Sequence, residues 1–467
     1  VPPDARARRR DGPRLAAVAI PVWETVTGLR PWTEARRLTE LQWRSRDELT
    51  ARSLAAVREI LVHARGVPYY RERFAEAGFA PEHVRALDDL ERVPLSTRAD
   101  LRAAFPDRVL APDVPAARRL YRRTSGSTGS PFEFYADRDD LSRWIGSFLF
   151  FFEEWAGARL AHTRLRIGGA TEWSLDLAGL SRLGTLARRW LLGERRVVLS
   201  GLTADVETLR AVVARLAGRP YFVWSYPSYA ARLAAELLAR DVNLARYPEV
   251  VVTSAEVLTD ANARVIAEAF SCPVVNHYSA WEVPHLAQSC PDNPRLLHVN
   301  PERAVVRVVG PDGRDVAPGE QGRVVITHLG NRVMPLVNFE LGDWATLEPA
   351  CPCGRGFPAL SGLQGRLGEA IRTPAGRVVS PVMLCNLLTA GLPVHGAVAE
   401  FQAEQPAPDR VILRVVPAPG YSDAFAAALR AHLASALGAD THVAVEAVDR
   451  IAHEPSGKRL LIRSRVP

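Results

Sequence analysis

The sequence predicts an α/β protein with a large N-terminal core and a small α+β domain at the C-terminal end. Three observations predict it. From about Leu120 to Leu367, strand-like runs such as Arg196–Leu199 and Val250–Thr253 alternate with helical runs, most clearly 204–217 and 229–240. Ahead of that stretch, residues 32–105 read as short amphipathic helices broken by Pro68, Gly78, Pro81 and Pro94, with Ser96-Thr97 marking a helix start. Past Gly368 the texture changes again: strand-like runs 411–416 and 443–448 flank a helical run, 421–437. The expected division is a helical region over 1–118, an αβ core over 119–367 and a small lid over 368–467. Within the core, 305–309 and 322–327 read as two strands around the turn Pro311-Asp312-Gly313, which adds antiparallel pairing to the sheet.

Composition narrows the class of function. The chain has 467 residues, enough for two or three domains, with 47% apolar and 24% charged residues. Its net charge is +7, but the basic residues are scattered among acids and form no stripe interleaved with aromatics, which argues against nucleic acid as partner. The apolar run 144–152 is closed by Glu153 and Glu154 and is too short to span a bilayer. With no secretory signal evident, a cytoplasmic protein without membrane partners is expected; a homodimer is left open. Of the 59 Lys+Arg residues, all but Lys458 are arginine. A single ammonium in so arginine-rich a chain marks a place where an amine is needed, unless it is a chance survivor.

Several stretches could carry chemistry. Thr124-Ser125-Gly126-Ser127-Thr128-Gly129-Ser130-Pro131 sits between a strand-like segment and the alternating Phe132–Tyr135. Small residues there could aim backbone N–H groups and hydroxyls at a phosphate; the competing reading is a polar hairpin turn. It is not a Walker A loop, which would end in Gly-Lys-Ser/Thr. Asn276–Val283 follows the strand-like Pro273–Val275. Its Glu282 could hold Mg²⁺ or orient a polar substrate, and Tyr278 and Trp281 could stack on a planar group or simply pack at a rim. Asp343, expected just after an apolar strand, could take two ribose hydroxyls or cap a turn. Lys458, in the turn Pro455–Arg459, could reach a phosphate. Trp144, Phe148, Tyr226, His277 and Trp281 could line a pocket for a planar acid or could be core. No arginine is clearly placed to read a second carboxylate. Five cysteines without a secretory signal argue against a disulfide scaffold. Cys290, His298, Cys351 and Cys353 would complete a tetrahedral Zn²⁺ shell if their loops meet; surface thiols and a redox use are the alternatives. Cys272 and Cys385 read as core fillers.

Taken in order, these pieces resemble the adenylate-forming superfamily, and within it the branch of phenylacetate–CoA ligase and the capsule-biosynthesis and coenzyme F390 synthetase-like proteins. Thr124–Pro131 is similar to that family's phosphate loop, with Ser130 in place of its lysine. Tyr278-Ser279-Ala280-Trp281-Glu282 is similar to the Tyr-Gly-x-x-Glu motif, with Ser279 in place of glycine. Phe339–Asp343 corresponds to the ribose-binding segment, with Glu340 where arginine is common. Gly365-Arg366 corresponds to the pair before the hinge, which here reads Gly368-Glu369. Pro455–Lys458 matches the C-terminal lysine motif, and 67–74 and 93–105 resemble this branch specifically.

The resemblance implies a multi-domain adenylate-forming fold with a mobile small domain. It implies ATP, Mg²⁺ and coenzyme A as cofactors and co-substrates, and a small carboxylic acid, aryl or arylacetic, as substrate. Lys458, Glu282 and Thr128 would be catalytic. Thr124, Ser125, Gly126, Ser127, Thr128, Gly129, Glu256, Tyr278, Ser279, Asp343 and Arg366 would bind nucleotide. After adenylation the small domain would rotate near Gly368 and carry Lys458 away. An amine or a carrier-protein thiol as acceptor, or a non-catalytic homologue stabilised by zinc, are the alternatives.

Overall fold

The computed structural model describes residues 24–25, 27–123, 132–159, 161–168, 195–200, 204–365, 370–376, 378–379, 381, 384, 387–388, 394–452 and 460–466. The loop Thr124–Pro131, Arg366, Gly368-Glu369, Cys385 and Lys458 lie outside the described residues.

Short helices open the chain, and local chemistry starts each. Pro31–Leu41 has proline in its first turn. In Arg46–Ala64, Ser45 Oγ accepts from the Glu48 N–H while the Glu48 carboxylate accepts from the Ser45 N–H. Thr97 and Asp100 repeat this device at Arg98–Ala104. Val57, Ile60, Leu61 and Ala64 recur at helix spacing, and all are buried. They join Tyr70 and Phe74 in one apolar cluster with Val324, Ile326 and Phe339. The Tyr70 hydroxyl donates to the Pro335 carbonyl (2.8 Å) and accepts from the Val337 N–H (3.1 Å), which satisfies a phenol that is 2% exposed.

A hairpin follows: β1 (Arg119–Arg123) pairs antiparallel with β2 (Glu133–Asp137) across the Gly/Ser/Thr loop. The core then lays down β3 (Thr163–Gly168), β4 (Arg195–Ser200), β5 (Tyr221–Ser225), β6 (Val251–Ser254) and β7 (Val274–Tyr278), all parallel. After them β8 (Ala287–Ser289), β9 (Leu297–Val299), β10 (Ala304–Val309), β11 (Gln321–His328), β12 (Phe339–Glu348) and β13 (Ala359–Gln364) pair antiparallel. Among the described residues these form one eleven-stranded sheet in the order β10-β11-β12-β13-β9-β8-β7-β6-β5-β3-β4. Asp343 lies inside β12, not after a strand as the sequence suggests, because the strand continues to Glu348.

The parallel half is covered on both faces. Leu165, Ile167, Val223 and Val251 meet Leu209, Leu233 and Ile266 of the helices Val206–Arg215, Pro227–Ala239 and Asp260–Phe270. Phe222, Val250 and Val252 meet Phe148, Phe151 and Phe152 on the other face. The apolar run that supplies these rings is the helix Arg138–Phe148, continued by a π-helical turn, Leu149–Trp155. Aromatic side chains in succession on a wider turn fill a broad gap on one face of the sheet.

The small domain contributes a two-stranded ribbon, β14 (Ile371–Arg372) with β15 (Val378–Val379). Its four-stranded sheet, in the order β18-β17-β16-β19, is built from β16 (Val398–Ala407), β17 (Arg410–Pro417), β18 (His442–Ala447) and β19 (Ile462–Ser464). Leu429, Leu433 and Leu437 of the helix Asp423–Leu437 pack on Val411, Leu413 and Val415. No helix among the described residues is long and apolar enough to cross a membrane.

Candidate functional site

Side chains at the C-terminal ends of parallel strands converge in a crevice, because each strand turns there into a loop. Here β6 and β7 end at a cavity of about 490 Å³, bordered by Glu256, His277, Tyr278, Ser279 and Asp343 from the core and by Glu400, Phe401 and Pro419 from the small domain. The chain leaves β6 through Ala255, whose φ of +72° is the left-handed conformation that residues with a Cβ rarely adopt. That turn brings the Glu256 carboxylate to the N-terminus of the helix Pro227–Ala239, where it accepts from the Ser228 N–H at 3.0 Å. Tyr278, the last residue of β7, donates its hydroxyl to Asp343 Oδ2 at 2.7 Å, a contact that joins the parallel and antiparallel halves of the sheet. Ser279 Oγ accepts from the His285 N–H at 3.2 Å, so the hydroxyl that replaces glycine is used within the loop.

Glu282 is 2% exposed and held by a residue from the helical region. Arg98 Nε donates to Glu282 Oε1 at 2.9 Å and Arg98 Nη1 donates to the Leu341 carbonyl at 2.7 Å, while its guanidinium lies 5.4 Å from the centre of the Phe339 ring. Arg98 was not singled out in the sequence; what placed it is the Thr97 cap, which fixes it as the first residue of its helix. Glu282 borders a second, small cavity together with Trp281, Trp144 and Arg122, the last on the strand that leads into the Gly/Ser/Thr loop. Glu340 pairs with Arg323 across β11 and β12.

The five aromatic and imidazole residues expected to form an acid pocket do not share one surface. His277 borders the large cavity, Tyr226 a narrow cleft beside it, and Trp144 and Trp281 the small cavity near Glu282. Phe148 is 3% exposed and packs on Phe152, Trp224 and His285. His277 and His285 stand ring to ring, 4.2 Å apart, and His277 Nδ1 lies 3.2 Å from Ser254 Oγ. Burial pushes His277 down to about 3; burial and then the charges of His277 and Arg303 push His285 well below the usual value. Both rings are therefore neutral at ordinary pH.

Arg164 and Arg166 were also missed. Arg-Leu-Arg-Ile in β3 alternates charged and apolar residues, the pattern of a strand with one wet face. Placed between β4 and β5, the strand is instead buried on both faces, and the two arginines are 5% and 7% exposed. The alternation carried no sign of this, because the same pattern encodes a solvent-facing row.

The four residues expected to hold zinc do meet. Cys290 lies at the end of β8, His298 on β9, and Cys351 and Cys353 between β12 and β13; their ligand atoms all lie within 4.8 Å of one another. Cys351 Sγ is 3.8 Å from Cys290 Sγ, and Cys353 Sγ is 3.3 Å from His298 Nε2. Two thiolates about 2.3 Å from one tetrahedral ion stand about 3.8 Å apart, so the set fits Zn²⁺. His298 Nδ1, 2.9 Å from the Phe357 carbonyl, donates there, which leaves Nε2 as the acceptor; burial lowers the ring's pKa and keeps it neutral, as ligation requires. Around the cluster, the Arg355 guanidinium lies 4.9 Å from the Trp43 ring centre and 5.2 Å from that of Trp155. Its Nε donates to Gln42 Oε1 at 3.0 Å, and the Gly356 N–H donates to the Gln42 carbonyl at 2.9 Å. A Cβ on Gly356 would stand 2.0 Å from the Arg44 carbonyl oxygen, so only glycine allows this approach.

Comparisons with known proteins agree with this architecture. The family profile of the CapK C-terminal domain matches residues 371–465. The phenylacetate-coenzyme A ligase of Thermus thermophilus is 28% identical over 342 residues, 71% of this chain and 73% of that one. Protein CapK of Staphylococcus aureus is 25% identical over 341 residues, 72% of each chain. Among solved structures, 2-hydroxyisobutyryl-CoA ligase in the postadenylation state with 2-HIB-AMP superposes with a TM-score of 0.71 at 24% identity, over 91% of this chain and 92% of that chain.

Proposed function

We propose that the chain is a member of the adenylate-forming superfamily, in the branch of phenylacetate–CoA ligases and CapK, and that its site works accordingly. It activates a carboxylic acid with ATP to an acyl-adenylate and transfers the acyl group to coenzyme A. The observation that carries the residue assignment is the Tyr278–Asp343 pair, set beside Glu256 in a 490 Å³ cavity that both domains border.

In the first step a carboxylate oxygen of the acid attacks the α-phosphorus of ATP, the bond to the bridging oxygen breaks, and pyrophosphate leaves. The Tyr278 hydroxyl fixes Asp343 through Oδ2, and the Asp343 carboxylate accepts from the two ribose hydroxyls. Adenine lies against Tyr278, with Glu256 at the rim. Arg98 holds Glu282 through Oε1, and the Glu282 carboxylate would hold Mg²⁺. When bound, that cation draws charge from the phosphates. The Thr124–Gly129 loop cradles the β- and γ-phosphates, Thr128 among its donors, and Arg366 contacts the nucleotide. Lys458 offsets charge on the transferring phosphoryl group. In the second step the small domain turns, the thiolate of coenzyme A attacks the acyl carbon, and AMP departs.

We assign an aryl or arylacetic acid as substrate, lying along the aromatic face of the parallel strands near His277. The Cys290, His298, Cys351 and Cys353 cluster is assigned to structural zinc, held away from the reaction. A pyrophosphate-release screen over aryl, arylacetic, amino-aryl and fatty acids, with coenzyme A, amines and carrier protein offered separately and products weighed by mass, tests the whole. Acid-dependent release and a CoA thioester are expected. An amide or a carrier-bound acyl group as sole product would replace the acceptor, and release unchanged in K458A would overturn the role of that lysine.

A further inference from the structure

The hairpin that leads into the Gly/Ser/Thr loop carries two arginines in succession, and its pairing sends them to opposite sides. In the β1–β2 register Leu120 stands against Ala136 and Arg122 against Phe134, while Tyr121 stands against Tyr135 and Arg123 against Glu133. Partners directly across a ladder share a face. Arg122 therefore lies on the face of Leu120, Phe134 and Ala136, and all four border the small cavity beside Glu282. Arg123 lies on the outer face with Tyr121, whose hydroxyl donates to Glu133, and both are exposed. Asn331 ties the hairpin to the core: its Nδ2 donates to the Tyr135 carbonyl at 2.8 Å, and its Oδ1 accepts from the Val333 N–H at 3.2 Å. Arg122 is the last inward-facing residue of β1, and the ladder sets its place.

Three carboxylates border the same cavity, and each is matched by another cation. Asp137 meets Arg118 at 3.4 Å, Asp140 meets the fully buried Arg303, and Glu282 meets Arg98 at 2.9 Å. Arg122 makes no ion pair among the described residues; its guanidinium donates to the Tyr121 carbonyl at 3.3 Å. Burial lowers its pKa, and no neighbouring carboxylate raises it again. A cation in a partly dry cavity, with every bordering carboxylate paired elsewhere, carries a desolvation cost that an incoming anion relieves.

The reaction calls for one more cation here. A triphosphate carries more negative charge than one divalent cation and one ammonium offset, and Thr124–Pro131 contains no charged side chain. Lys458 belongs to the domain that turns after the first step, so the charge it supplies is not kept. Mg²⁺ held by Glu282 would bring the phosphates to the edge of the cavity that Arg122 borders. A guanidinium suits that place: it stays charged when partly buried, and its fork meets two phosphate oxygens at once.

We infer that Arg122 is a fixed cation for the β- and γ-phosphates of ATP and for the pyrophosphate they become, and hence a catalytic residue of the first step. This rests on the acid-activating role proposed above. The AMP part of the nucleotide lies at Tyr278 and Asp343 in the large cavity, which Arg122 does not border.

R122M should raise the KM for ATP at least tenfold in pyrophosphate release, and the KM for pyrophosphate likewise in the reverse exchange. Thioester formation from supplied acyl-adenylate should stay within twofold. R123M, on the outer face of the same hairpin, should leave all three within twofold, and R122K should fall between. Calorimetry gives a readout without turnover: with Mg²⁺ present, R122M should weaken ATP binding at least tenfold relative to AMP binding. A loss shared equally by ATP and AMP, or by R122M and R123M, makes Arg122 a support of the hairpin and overturns the inference, as does ATP binding unchanged in R122M. Should R122M fail to fold, R122Q is judged by the same ratio. If no acid at all releases pyrophosphate, the acid-activating role fails, and the ratio of ATP to AMP binding alone decides on Arg122. No measurable ATP binding by the parent protein rejects both.

Discussion

Arg98 and Glu282 offer a quantitative test of how the site is held. The Glu282 side chain is 1% exposed and that of Arg98 21%, and the Nε–Oε1 distance is 2.9 Å. Truncation of Arg98 to alanine leaves a buried carboxylate without its cation. Breaking a fully buried pair in this way costs about 3–5 kcal/mol, and the partial exposure of Arg98 places the loss near 3 kcal/mol. E282Q removes the charge and keeps a hydrogen-bonding group for Arg98, so it should cost less than R98A. In the double variant the isolated charge is gone, and the two effects should fall short of additive by about 2 kcal/mol. Thermal melts of the four proteins measure this. For a unit of this size, roughly 2 °C corresponds to 1 kcal/mol, so R98A should melt about 6 °C lower, with the second substitution recovering several degrees. If Glu282 has the Mg²⁺-holding role proposed for it, pyrophosphate release should fall in both single variants, since Arg98 positions that carboxylate. If R98A melts within 1 °C of the parent, or the two substitutions add fully, Arg98 does not hold Glu282 and the reasoning is wrong.

Other outcomes follow from the same geometry. Burial holds His277 and His328 near about 3, whereas an unfolded histidine titrates near 6.5. Between those values the unfolded chain binds protons that the folded one does not. Stability is therefore full above pH 6.5 and drains as pH falls, by roughly 2–3 kcal/mol per histidine at pH 4.5; H277F should melt with a shallower dependence on pH over that window. Protein purified without chelator should carry one zinc per chain by elemental analysis, and C351S should lose the metal and melt at a lower temperature. K458A should slow pyrophosphate release about a hundredfold, the effect of about 3 kcal/mol, and leave thioester formation from supplied acyl-adenylate unchanged within twofold.

What the sequence disclosed depended on whether the information was local. Strands β4, β6, β10, β11, β17 and β18 and the helices that follow β4 and β5 declared themselves through periodicity and punctuation. The Cys-x-Cys turn pointed to a ligand set because thiols and imidazole have few other reasons to gather. Order along the sheet was not legible. It placed β3 beside β5 and so buried Arg164 and Arg166, and it carried β12 far enough to take Asp343 into a strand. The aromatic residues were ambiguous for a related reason. Phe148 and His277 have the same chemistry whether they fill a core or line a pocket, and neighbours distant in the chain, such as His285 for Phe148 and Phe152 for His277, decide between the two.

The contact between Gln42 and Arg355 spans 313 residues of chain. A ribosome adding about 5–20 residues per second emits the first partner roughly 15–60 s before the second. Trp155 follows Gln42 by only 113 residues and is in place for most of that interval, so what Gln42 waits for is the Arg355 guanidinium and the Gly356 N–H. The Gln42 turn is thus seated on Trp155 early and clamped by the Arg355–Gly356 loop late.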